Sequence, residues 1–247
     1  MRSFFYCFTA LTLLSSASFA SPITANVVGS TVGDEGDIGM EYRNGYEWDD
    51  DSTAQDNRYT DRVDFFYNMT DDAQFRVFLN RVNPGDGDSD FSNIFIEPSF
   101  QVFHAEEDGF DGAFTTGLTL ADGDDGAHQF RTILTGTIPF SWGYARHNSI
   151  FAHEFGHESV DGLKYEARWR AMHYVPQLGE HTEIGVEMFN DFTNLRTVSG
   201  FDEMTHRAGP VAIGKLTDKV GFQTGVLAGL SKNAPDAAAK FWLSYDF

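Results

Sequence analysis

Between residues 163 and 175 the chain reads LKYEARWRAMHYV: Leu163, Tyr165, Ala167, Trp169 and Ala171 are separated by Lys164, Glu166, Arg168 and Arg170. Apolar and charged positions alternating with a period of two predict a β-strand with one oily and one ionic face. Successive charges opposite Tyr and Trp suit a barrel wall, with lipid on one side and a wet lumen on the other.

The pattern recurs along the chain. Ile38, Met40, Tyr42, Tyr46 and Trp48 alternate with Glu41, Arg43 and Glu47. Val63, Phe65, Tyr67 and Met69 alternate with Arg62, Asp64 and Asn68, and Phe75, Val77 and Leu79 with Gln74, Arg76 and Asn80. Later segments carry Ile94, Ile96, Phe100 and Val102, then Phe110, Phe114, Leu118 and Leu120, then Phe130, Leu134, Ile138 and Phe140. A seventh segment holds residues 147–158, a ninth Ile184, Val186 and Met188, a tenth residues 206–215, an eleventh Val220, Phe222, Val226 and Leu230. The last has Phe241, Leu243, Tyr245 and Phe247, opposed by Lys240, Trp242, Ser244 and Asp246. Pro98, which cannot donate to a ladder, predicts a bulge or bend in the fourth.

About twelve segments of roughly ten residues predict an all-β fold, a transmembrane antiparallel up-and-down β-barrel. Acidic loops such as 49–57, 83–90 and 122–127 follow odd-numbered strands, and short turns follow even ones. With both termini periplasmic, the long loops fall outside the cell. Residues 37–247 form the barrel domain, and residues 21–36 are a lead-in that the pattern does not place.

Composition adds the export route. Arg2, the apolar run 4–14 and the small residues of Ser18-Phe19-Ala20 predict a signal peptide over 1–20. The one cysteine, Cys7, lies within it, so the exported chain has no disulfide and no thiolate metal ligand. Aromatic residues make up 15%, with 24 Phe and 24 Gly, yet the mean hydropathy is -0.32; a wall polar at every second position averages to that mildness. A net charge of -20 excludes nucleic acid as a partner held by bulk electrostatics.

The C-terminal stretch HRAGPVAIGKLTDKVGFQTGVLAGLSKNAPDAAAKFWLSYDF carries a Gly-Pro, a Gly-Lys-Leu turn, a Gly-Val-Leu-Ala-Gly-Leu strand and a Pro-Asp before a final aromatic strand. In these features it resembles the small outer-membrane proteins of the phenol-degradation meta-pathway transporter family. The resemblance covers the end of the chain and implies an outer-membrane barrel with a transport role. In length and strand number the chain also resembles the small acidic-sugar channels of the oligogalacturonate-porin type, with no shared motif. The aromatic terminus at Phe247 implies the barrel-assembly machinery as a partner.

Several motifs compete for function. Residues 153–157, His-Glu-Phe-Gly-His, spell the zinc-protease pattern, which on a helix would put His153 and His157 on one ion with Glu154 as base. On a strand the two rings stand about 13 Å apart, and Val160 and Leu163 occupy the places where an extended site needs Gly and His. The pattern therefore reads as polar residues on the seventh strand, with no metal, cofactor or catalytic residue expected. His147-Asn148-Ser149 has the spacing that puts a base and a nucleophile on one strand face, the arrangement of outer-membrane lipid hydrolases, but Ile150 follows and no third member is identifiable. Asp86, Asp88, Asp90 and Glu97 imitate a calcium loop, with Phe91 where a sharp-turning Gly belongs. Those acidic loops read as solvated, bridged to surface lipopolysaccharide by divalent ions.

The inner face carries the main functional expectation. Glu41, Arg43, Arg62, Asp64, Arg76, Arg131, Lys164, Glu166, Arg168, Arg170, Glu187 and Lys240 alternate away from the lipid side and would line a pore. Paired across the lumen, the same groups would fill it. The expected function is passive passage of a small hydrophilic solute. The alternative is a closed structural or surface-binding barrel with acidic extracellular loops, and an outer-membrane hydrolase comes third.

Overall fold

The structure is a computed structural model that describes residues 24–49, 58–84, 90–122, 127–156, 159, 162–179, 181–195 and 200–247. The expected signal peptide, the loop residues 50–57, 85–89 and 123–126, and His157 lie outside the described residues.

The wall consists of β1 (Ile38–Trp48), β2 (Arg58–Thr70), β3 (Ala73–Pro84), β4 (Asp90–Phe103), β5 (Asp111–Ala121), β6 (His128–Phe140), β7 (Gly143–Phe155), β8 (Leu163–Tyr174), β9 (Glu183–Asn194), β10 (Thr205–Thr217), β11 (Val220–Gly229) and β12 (Ala237–Asp246). Each strand pairs antiparallel with its sequence neighbours and β12 pairs with β1, closing a twelve-stranded barrel. Met40 faces Tyr245 and Tyr46 faces Ala239 along that seam. Closure leaves no strand edge unpaired, which a bilayer requires.

Burial is inverted relative to a soluble protein. In β8, Trp169 is 50% exposed while Arg168 and Arg170 are 5% and 4% exposed. Along most of the wall apolar residues face lipid and charged ones face the interior, while a minority of apolar side chains such as Phe78, Phe95 and Trp242 point inward, so the period of two becomes a membrane-spanning barrel.

One end gathers the short connections. β2 and β3 are joined through Asp71 and Asp72, β6 and β7 through Ser141 and Trp142, and β10 and β11 through Asp218 and Lys219. The Phe247 N–H donates to Ile38 O at this end (3.0 Å), where β1 begins and β12 ends. Two even-strand connections carry a helical turn: Ala105–Asp108 follows β4, and the 3-10 turn Pro176–Leu178 follows β8.

No register shift forms at Pro98, although the β4–β5 pairing skips Glu97 and Pro98. β4 runs through it, Pro98 faces Phe75, and the β4–β5 register is the same at Ile96↔Leu118 and Ser99↔Thr115. Proline removes one donor without shifting the ladder, and the register shifts fall at Asn80/Arg81 and Gln101/Phe103 instead.

Candidate functional site

The lumen brings the sequence-selected charges together. Arg43, Arg62, Asp64, Arg131, Lys164, Glu166, Arg168, Arg170, Glu187 and Lys240 are all buried, and Glu41 and Arg76 are 15% and 23% exposed toward an internal cavity. Asp64 is the hub of one cluster: Arg62 Nε lies 2.5 Å from it, Arg43 Nη2 3.1 Å and Arg76 Nη1 3.7 Å. Glu41 takes Arg43 Nε at 2.8 Å. Glu187 is the hub of a second, accepting from Arg170 Nε at 2.7 Å and from Lys240. Arg168 Nη2 donates to Glu166 at 2.6 Å. In so dry a setting unpaired charges would be costly, and pairing is what lets them stay charged.

Carboxylates outside the pore-lining set expected from the sequence complete further pairs. Glu97 receives Arg131, Glu154 receives Lys164, and Glu47 receives Arg207. Alternation could have found them, since each shares the inward parity of its strand. Gly117 leaves room for Glu97 in the first pair: it stands opposite Arg131, and a Cβ there would lie 2.7 Å from Glu97 Cγ. Phe78 and Phe95 also lie outside that set. They stack inside the barrel, centroids 4.4 Å apart, with Arg62 3.4 Å from the Phe78 centroid and Arg131 4.5 Å from that of Phe95. Arginine over an aromatic face is favourable and keeps the guanidiniums in position.

The lead-in proves to be part of the interior. Residues 24–32 run through the lumen, with Thr24, Ala25, Val27 and Ser30 buried. Ala25 and Val27 pack on Phe189, Leu227 and Ala238. The backbone is held by wall side chains: Arg43 Nη1 donates to Thr24 O (3.1 Å), and Arg168 Nη1 to Asn26 O (2.8 Å). Val28 N–H donates to Asn148 Oδ1 (2.6 Å), whose Nδ2 donates to Val28 O (3.1 Å). Ser30 Oγ lies 2.6 Å from Thr137 Oγ1, and Val32 N–H donates to Gln101 (3.1 Å). At the short-turn end Glu35 N–H donates to Asp71 and Gly36 N–H to Asn68 O, both at 2.9 Å. Gly36, with φ +92°, sits where the chain turns back into β1, a conformation that favours glycine.

Between this segment and the wall lies a cavity of about 120 Å³. Arg43, Arg62, Arg76, Arg131 and Arg168 line it, against Glu41 and Glu97. A second cavity of about 400 Å³ opens beside Glu41, His181, Glu183, Lys215 and Trp242. Among the described residues no three His, Cys, Asp or Glu side chains converge on a possible metal position.

The competing motifs fall elsewhere. Residues 153–155 end β7, where exposed His153 and buried Glu154 point to opposite faces, and Glu154 engages Lys164. His147 Nε2 and Ser149 Oγ lie 2.9 Å apart on the outer face, His147 packs on Trp169 at 3.9 Å between centroids, and Nδ1 has no hydrogen-bond partner among the described residues. Among the described residues no carboxylate is hydrogen-bonded to this pair. Of the calcium-loop imitation, Asp90 opens β4 and Glu97 lies seven residues along it and pairs with Arg131 inside the barrel, while Asp86 and Asp88 lie outside the described residues.

No family model and no curated protein matches the chain. Among solved structures it is similar to a KdgM porin, at 10% identity and a TM-score of 0.56, over 85% of this chain and 99% of that one. It is equally similar to a KdgM porin in complex with disordered oligogalacturonate, at 10% identity and a TM-score of 0.57, again over 85% and 99%. A protein solved in work on the in-meso crystallization of membrane proteins matches at 12% identity and a TM-score of 0.52, over 85% and 84%. At these identities the likeness is one of fold, and this chain shares the fold of porin barrels.

Proposed function

We propose that the protein is an outer-membrane channel for passive passage of small hydrophilic solutes, with a preference for acidic ones. The observation that carries this reading is the wall of the 120 Å³ cavity, where five arginines face two glutamates. Even with buried Asp64 shared among Arg43, Arg62 and Arg76, the surplus is positive in a chain whose formal charge is -20. A basic lumen in an acidic protein concentrates anions where a solute must pass. The residues selected from the sequence line that path in this reading, and the oligogalacturonate of one porin complex, a carboxylate-bearing saccharide, is a solute of the same chemical kind. The transport role implied by the C-terminal resemblance to the phenol-degradation meta-pathway transporters is in keeping with it.

In the same reading lipid and lipopolysaccharide surround the outer face. Phe247, 66% exposed and 5.1 Å from Tyr245 between ring centroids, serves as the terminal signal for barrel assembly. The second reading is a closed barrel, favoured by the ion pairs and the N-terminal segment that occupy the lumen.

Planar-bilayer recordings separate the two. The expected result is single-channel current with a reversal potential displaced toward chloride in a salt gradient. Absence of current, from the full protein and equally from a folded variant lacking residues 24–33, would establish the closed barrel.

A further inference from the structure

Residues 24–36 belong to no strand, so their withdrawal breaks no bond of the barrel ladder. Besides the apolar contacts of Ala25 and Val27 and the Ser30–Thr137 pair, most of the hydrogen bonds that hold them come from charged or amide side chains of the wall. Arg43 and Arg168 each direct one guanidinium N–H to a neutral carbonyl, of Thr24 and of Asn26, and Arg170 directs one to the Asn26 side-chain oxygen at 2.7 Å. Two of these arginines line the cavity beside the segment. An amide oxygen is a weaker acceptor than a carboxylate, whose charge-assisted bonds are about twice as strong.

We propose that residues 24–33 are a displaceable plug seated in an anion-binding site, and that an acidic solute opens the lumen by taking Arg43, Arg168 and Arg170 from the oxygens of Thr24 and Asn26. The inference rests on the channel reading and adds to it a gate and the chemistry of its release. The plug is anchored at its far end, where Glu35 and Gly36 bond to Asp71 and Asn68, so it swings out at the short-turn end and stays attached to β1. The Ala25 and Val27 contacts with Phe189, Leu227 and Ala238 reseat it when the anion leaves.

Two measurements test this. In a Ser30→Cys variant the new thiol is buried against Thr137, and the native cysteine, Cys7, lies in the expected signal peptide. Its labelling by a water-soluble maleimide is expected to accelerate with citrate and not with sucrose. An unchanged rate in citrate overturns the plug, whatever the channel does. With citrate in the bath, oxidation of the Ser30→Cys/Thr137→Cys variant is expected to abolish bilayer current and dithiothreitol to restore it. Equal current in both states overturns the plug while leaving the channel reading intact. Silence of the folded variant lacking 24–33 removes the channel reading and the inference together.

Discussion

Arg170 donates to the side-chain oxygen of Asn26 across 144 positions of sequence, and the same guanidinium holds Glu187 on the neighbouring strand. One side chain thus joins the wall, its charge network and the segment within the lumen. Consequences follow for stability, for the apparent zinc motif, for the lipid-facing surface and for ion selectivity.

Glu187 is the shared acceptor of Arg170 and Lys240. Replacing it, Glu187→Ala, strands two buried cations, and breaking one side of a buried ion pair costs about 3–5 kcal/mol. Urea unfolding in lipid vesicles, followed by the heat-dependent gel shift, should give a clearly lower midpoint. A midpoint equal to that of the unsubstituted protein would mean the cluster is solvated.

Glu154 and His153 are adjacent in the zinc-like pattern but play different parts in the wall. Glu154→Ala takes from buried Lys164 the carboxylate it is paired with and should destabilise the barrel measurably more than a change on the outer face. His153, exposed on the outer face, should tolerate alanine to within about 0.5 kcal/mol. Chelation by EDTA should leave thermal stability unchanged. A zinc site would reverse the pattern, with EDTA and His153→Ala both lowering the melting temperature.

Val226 is 53% exposed on β11, inside a band of apolar residues facing lipid. Arginine placed on a lipid face costs about 2–4 kcal/mol near the bilayer midplane. Val226→Arg should therefore lower the folded yield in bilayers much more than Val226→Ala does. Equal yields would mean that this face does not contact hydrocarbon.

Arg76 is the most exposed of the arginines lining the inner cavity for which an ion pair is seen. Arg76→Glu reverses its sign with the least loss of packing. In the protein freed of residues 24–33, the reversal potential should move toward the cation value. An unmoved potential would place the selectivity elsewhere in the lumen.

The amino-acid sequence by itself determined the wall. A period of two is local: each residue faces either lipid or lumen, and those environments differ so much in polarity that Trp169 and Arg170 cannot exchange sides. Strand number, the closed all-β class and the inward parity of the charged residues are therefore readable from the chain. The sequence is silent on which charges meet. Lys240 on β12 reaches Glu187 on β9, and Arg207 on β10 reaches Glu47 on β1, pairs of strands that are not neighbours in the sheet. Only closure and curvature bring such groups together, and the missing side chain at Gly117 leaves room for Glu97 where it meets Arg131. Residues 24–36 depended on tertiary structure most. Short, mixed and without period, they carry no signal of their own, and the backbone groups buried within the lumen acquire partners once the arginines and amides of a completed wall surround them.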